Sequence, residues 1–168
     1  HNIDEPNPNF RLRIKDLKLK PNGPVNLAVI AAIKKADAII FGPGDLYTST
    51  LPNLLVKGVK EAINKSKAKK ILVANIMTKF GQTDGFGADD FVKILEQHLK
   101  GKIDLVLVNN KKPDGNLVKK YKQEKAKFIE VDMKALAKTK VEAIVQDLIS
   151  EKVIERNPAD KLKRSILR

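Results

Sequence analysis

Three stretches of this chain gather glycine, hydroxyl and amide residues where an apolar run stops. They are 42–53 (GPGDLYTSTLPN), 75–87 (NIMTKFGQTDGFG) and the segment opening at Asn109 (NNKKPDG). In the first, Gly42 and Gly44 leave backbone exposed and tolerate positive φ. Thr48, Ser49 and Thr50 supply hydroxyls and N–H groups, and Pro52 fits the first turn of a helix. Such a helix start attracts phosphate, because unpaired N–H groups and the helix dipole both favour an anion. The same residues also make an ordinary strand-to-helix turn with a Ser/Thr cap. Neither the Walker pattern nor GxGxxG is present.

In the second stretch, Asn75, Thr78, Thr83 and Asp84 suit hydrogen bonding to a sugar or a base edge. They equally suit Asx and Ser/Thr turns. Asp45 and Asp84 are a candidate carboxylate pair for Mg2+, which takes one or two carboxylates plus phosphate oxygens. The plainer reading makes both of them turn aspartates. The two histidines add no chemistry: His1 sits in a leading loop, and His98 near a helix C-terminus, where a cation is favourable. No Ser–His–Asp set and no metal-ligand cluster can be assembled, so no catalytic residue is assigned.

The elements that must position these loops follow from the apolar pattern. Residues 11–19 alternate, which predicts a half-exposed strand, broken by Pro21, Asn22, Gly23 and Pro24. Continuous apolar runs at 36–41, 70–75, 103–108 and 128–131 read as strands buried on both faces. Helical spacing predicts helices over 25–35, 52–64, 88–99 and 141–149, a short helix ending at Tyr121, and a last basic helix ending at Arg168. Repeated strand, loop and helix predict an α/β fold, a mostly parallel sheet with right-handed crossovers. In such a sheet ligands bind outside the carboxyl ends of the strands, where the three loops should converge.

A length of 168 residues, at about 150 per domain, predicts a single α/β domain over 1–168. There is no cysteine, which excludes a disulfide scaffold, thiolate zinc and a cysteine nucleophile. No run reaches the ~18 apolar residues that span a bilayer, and no basic-then-apolar leader opens the chain. The expected location is therefore the cytoplasm, with no membrane partner. The chain opens on His1 and a loop-like stretch, which predicts one region of a longer protein. The net charge is +13, with 28 Lys against 5 Arg, 2 Tyr and no Trp. Scarce arginine and aromatics argue against base readout and single-strand stacking. A lysine-rich solvated surface, or attraction to a small anionic ligand, fits better than specific nucleic-acid binding.

Residues 36–63, ADAIIFGPGDLYTSTLPNLLVKGVKEAI, resemble the signature of the YvcK/CofD family, usually AD-apolar-GPGSLYTS-apolar-PNLL. The second loop, NIMTKFGQTDGF, resembles the family's N-x-MT-x-x-G-E/Q-T-x-G-F/Y motif. DLVLVN at 104–109 resembles the following strand and its asparagine, and RNPADKL at 156–162 is a loose match to the family ending. The resemblance implies a Rossmann-like sheet with helices on both faces. The chain would correspond to the family's C-terminal half, because the Gly-rich first strand-loop and the D-D-G-G segment are absent. It implies that Gly42, Gly44, Asp45, Tyr47, Thr48, Ser49, Asn75, Met77, Thr78, Thr83 and Asn109 line a nucleotide site. YvcK-like members are cytosolic UDP-sugar-binding regulators linked to gluconeogenic growth, cell shape and envelope synthesis, with no cofactor required. CofD-like members are transferases that move a phospholactyl- or phosphoenolpyruvyl-type group from a nucleotide-activated donor to a deazaflavin precursor, with Mg2+. The LYTS and LPNLL wording favours the first. The implied partner is a nucleotide-sugar or related phosphorylated small molecule, and homo-oligomer formation is left open. Two positions depart from the family: Asp45 stands where serine is usual, and Asn157 where histidine is common.

Overall fold

The structure, a computed structural model, describes residue 14 and residues 16–149. Four strands, β1 (Ala38–Phe41), β2 (Lys69–Val73), β3 (Leu105–Asn109) and β4 (Glu142–Gln146), form one sheet in the order β1-β2-β3-β4. Every pair is parallel, with Ile40 opposite Ile71, Ile71 opposite Leu105, and Leu105 opposite Glu142. The first three strands are the apolar runs of the sequence, and β3 is buried along its whole length.

Crossovers between parallel neighbours are right-handed, so three successive ones in this order place their helices on the same face. The packing agrees. Phe41, Leu72, Val106 and Val108 on one face join the main core with buried residues of α2 (Leu51–Leu55), α3 (Val59–Lys65), α4 (Ala88–Leu99) and α6 (Met133–Thr139). Ile71, Val73, Leu105 and Leu107 on the other face form a smaller cluster with Leu148. Among the described residues, then, the helices with buried side chains cover one face only.

Helix α4 shows how local sequence makes an element. Phe91, Val92, Leu95 and Leu99 fall on one side of the helix and are fully buried. Asp89 and Asp90 lie in the first turn, where the dipole favours acid, and the Gly87 N–H donates to the Asp90 carboxylate at 3.0 Å. Truncating Leu95 to alanine would cost about 2–5 kcal/mol by lost transfer energy and a cavity. Helix α1 (Leu27–Lys35) is capped by Asn26, whose Oδ1 accepts the Ala28 N–H at 2.8 Å. It is apolar nearly all round, yet none of its residues is buried, and Leu27 is 82% exposed. On β1, an outer strand of the sheet, Ile40 is 44% exposed.

Several expected elements differ. The helix expected over 52–64 is two helices, because Val56 is extended and Gly58 turns the chain at φ +100°. The strand expected over 128–131 is not in the sheet: Phe128 makes an isolated antiparallel bridge to Met77. The helix expected over 141–149 is instead β4, preceded by α6, which the apolar pattern did not announce. Ile14 and residues 16–19 form no strand. A short helix α5 (Gly115–Gln123) does precede Ala126, while the basic helix ending at Arg168 lies outside the described residues. No helix among the described residues is long and apolar enough to cross a membrane.

Candidate functional site

The three loops leave the carboxyl ends of β1, β2 and β3, which are neighbours in a parallel sheet, so all three open on one edge. The first begins at Gly42, whose φ of +85° is a conformation that L side chains avoid. A Cβ there would lie 2.9 Å from the Val73 carbonyl oxygen, so glycine lets the loop turn tightly over the end of β2. After Gly44 the chain makes a wide helical turn, Leu46–Thr50, running directly into α2 with Pro52 in its first turn. Leu46 and Tyr47 sink into the core beneath this turn, while Thr48 is half-buried and Ser49 exposed.

The second loop is held by its own turns. The Thr83 Oγ1 accepts the Lys79 N–H at 2.8 Å, and the Asp84 carboxylate accepts the Gly81 N–H at 2.6 Å. The loop is also sewn to the strand-like segment near Phe128. Thr78 N–H donates to the Lys127 carbonyl at 2.7 Å, Thr78 Oγ1 accepts the Lys127 N–H at 2.9 Å, and Ile129 N–H donates to the Ile76 carbonyl. An ion pair joins the two loops: Lys79 Nζ lies 2.6 Å from the Asp45 carboxylate.

The residues singled out in the sequence therefore divide. Gly42, Gly44, Asp45, Thr48, Ser49, Asn75 and Met77 all keep some exposure at the loop edge. The side chains of Thr48, Ser49 and Asn75 make no hydrogen bond among the described residues. Tyr47 is a core residue, and Thr78 and Thr83 are buried with their hydroxyls accepting main-chain N–H bonds. Asn109 is 3% exposed, and both ends of its amide are engaged. Oδ1 accepts the Leu148 N–H at 3.0 Å and Nδ2 donates to the Lys111 carbonyl at 2.6 Å.

The proposed Asp45–Asp84 cation pair does not fit this arrangement. The Asp84 carboxylate serves its own turn, and the Lys79 ammonium sits against Asp45. No group of three or more metal-ligating side chains occurs among the described residues. His98 lies at the end of α4 with Nδ1 2.9 Å from the Ile94 carbonyl, a local helix contact. Lys79 was not singled out in the sequence. One lysine among 28 carries no mark of its own, and only its place between Thr78 and Thr83 could have pointed to it.

Known proteins resemble this chain in sequence and in fold. The model of the family described as 2-phospho-L-lactate transferase CofD matches residues 1–149. A protein of Bacillus subtilis named gluconeogenesis factor is 40% identical over 147 residues, covering 86% of this chain and 46% of the relative. A gluconeogenesis factor of Halalkalibacterium halodurans is 40% identical over 140 residues, covering 82% of this chain and 44% of the relative. A crystal structure of a UPF0052 family member from Bacillus halodurans superposes with a TM-score of 0.85 at 38% identity, over 93% of this chain and 51% of that one. The chain thus spans about half the length of these relatives.

Proposed function

Because the chain belongs to the 2-phospho-L-lactate transferase CofD family, we propose that the loop edge of its sheet binds the diphosphate of a nucleotide-sugar. In this reading the protein is a cytosolic regulator linked to carbon metabolism, cell shape and envelope synthesis. The relatives named gluconeogenesis factor support the metabolic link. One observation carries the reading: the polar side chains of Thr48, Ser49 and Asn75, which make no hydrogen bond among the described residues, lie in the loops at the carboxyl ends of adjacent parallel strands. That edge is where open α/β sheets bind ligands. Buried polar side chains below it, Thr78, Thr83 and Asn109, fix the loops rather than face the ligand. In this reading no cofactor is required, and the carboxylate of Asp45 is paired with the Lys79 ammonium.

Ser49 tests the reading. A hydrogen bond to a charged group is worth roughly 1.5–3 kcal/mol, and each ~1.4 kcal/mol is tenfold in affinity. Ser49→Ala in the full-length protein weakens UDP-glucose or UDP-GlcNAc binding about tenfold or more in calorimetric titration. The melting temperature stays put, because the Ser49 hydroxyl caps nothing. Unchanged affinity removes the phosphate from this loop.

The family match itself favours a second reading, a transferase moving a phospholactyl- or phosphoenolpyruvyl-type group from a nucleotide-activated donor to a deazaflavin precursor. Transfer from a nucleotide needs chiefly positioning and electrostatics, so it does not demand an acid, base or nucleophile here. Product formation from those substrates by the full-length protein selects it, and ligand binding without turnover selects the regulator.

A further inference from the structure

An aspartate that opens a helical turn normally puts its carboxylate on the N–H groups of that turn. Asp45 does not. Its main-chain oxygen accepts the Ser49 and Thr50 N–H groups at 2.9 and 3.0 Å, and its side chain makes no bond to the turn. The carboxylate reaches to the second loop instead, 2.6 Å from Lys79 Nζ. The Lys79 backbone is pinned on that side: its N–H donates to Thr83 Oγ1, and its carbonyl accepts the Gln82 and Thr83 N–H groups. Both main chains are thus fixed, and the two side chains reach across the gap between them. They are 34% and 37% exposed, open enough for a solute to reach either.

We propose that Lys79 is the cation that receives the anionic group of the ligand, and that Asp45 is its resident counter-ion, displaced on binding. The inference rests on the anion-site reading above. A lysine ammonium is a compact point charge with rotatable donors, so it can pass from one acceptor to another without moving the backbone. A diphosphate outbids a carboxylate because it carries more charge and more acceptor oxygens. A ligand with a single charge gains nothing from the exchange. The Asp45–Lys79 pair is therefore a charge threshold: it keeps weak anions out and lowers affinity for the right one. Asp45 is a specificity-determining residue, and Lys79 a ligand-binding one.

Calorimetric titration of the full-length protein tests this, with UDP, inorganic diphosphate and inorganic phosphate as probes, each with and without Mg2+. Asp45→Asn keeps the shape and removes the charge; it tightens UDP binding about tenfold. Lys79→Gln weakens it about tenfold, Lys79→Arg retains binding, and in the Lys79→Gln background Asp45→Asn yields a much smaller gain, because the two residues act as a pair. Asp45→Asn also raises the affinity for inorganic phosphate more than for UDP, narrowing the discrimination. Weaker UDP binding by Asp45→Asn, or loss of a Mg2+ dependence, makes Asp45 a ligand or metal contact and overturns the proposal. Unchanged affinity in both single variants, with only the melting temperature lowered, makes the pair a structural tie and also overturns it. If inorganic diphosphate shows the pattern and UDP binds no variant, the counter-ion exchange stands and the nucleotide reading falls. If none of the probes binds any variant, both fall.

Discussion

Asn109 offers the clearest separation between holding a fold and holding a ligand. It ends β3, opposite Gln146 of β4, and its amide stitches that end to two main-chain partners. Asn109→Ala leaves the Leu148 N–H without its acceptor, in a residue that is itself buried. A buried donor left unpaired costs about 1–3 kcal/mol. The other partner, the carbonyl of Lys111, belongs to an exposed residue and can turn to water, so it adds little. For a chain of this size about 1 kcal/mol moves the melting temperature by roughly 2–4 °C, so the expected fall is roughly 2–12 °C. Circular dichroism melts measure it, and hydrogen exchange should show the Leu148 amide losing protection. Asn109→Asp keeps the acceptor and recovers part of the loss. An Asn109→Ala protein that melts like the wild type while losing UDP affinity would refute the reasoning, because it would turn the amide toward the ligand.

Two further outcomes follow, one from the turn at Gly42 and one from the charge of the chain. Gly42→Ala puts a side chain at φ +85° and a Cβ 2.9 Å from a main-chain oxygen that cannot move without disturbing β2. It should lower stability by about 1–3 kcal/mol in urea titration and weaken ligand binding with it, whereas a neutral result would mean the loop has another conformation in solution. Duplex DNA binding should be weak and fall steeply with added salt, as for lysines that act only through counterion release. Sequence-selective binding near physiological salt would contradict that reading of the +13 charge.

Strands β2 and β3 were legible because burial over most or all of their length leaves an unbroken apolar run; β1 shows the same apolar run although, as an outer strand, only its last residue, Phe41, is buried. Once the strands are parallel, the placing of their following loops on one edge needs no further information. β4 misled for a physical reason. Val141, Ile144, Val145 and Leu148 fit helical spacing as well as they fit an outer strand whose faces are only half covered. Phe128 and Ile129 read as a strand because they are apolar, yet they spend their apolarity on sealing the second loop through the bridge to Met77. The three loops were legible as a group at one edge of the sheet, and the contacts of their side chains were not. Thr78, Thr83 and Asn109 have the side chains of ligand-binding residues, and nothing in a sequence says that a backbone N–H 39 residues away will claim the amide first.

The end of α6 shows the same limit and yields the last prediction. Only Leu136 of this helix is buried, so it has almost no apolar period, and no glycine marks its end. The stop is made by Lys140 at φ 62° and ψ 15°, with its N–H donating to the Ala137 carbonyl at 3.2 Å. Lys100 ends α4 in the same left-handed conformation. Glycine is the usual residue there, and its absence hides the boundary from a reader of the sequence. A Cβ in the left-handed region costs about 1–2 kcal/mol. Part of that is offset by a cation at a helix C-terminus, worth about 0.3–1 kcal/mol, which Lys138 continues to supply in a variant. The unfolded chain also gains freedom with glycine, by about 0.4–1 kcal/mol. The balance favours Lys140→Gly by about 0.5–1 kcal/mol, a rise of roughly 1–4 °C in melting temperature. Lys140→Ala keeps the Cβ and gives up the charge, so it should melt at or below the wild type. If the glycine variant melts below the alanine variant, backbone strain is not what Lys140 contributes, and the helix end is held by the lysine side chain instead.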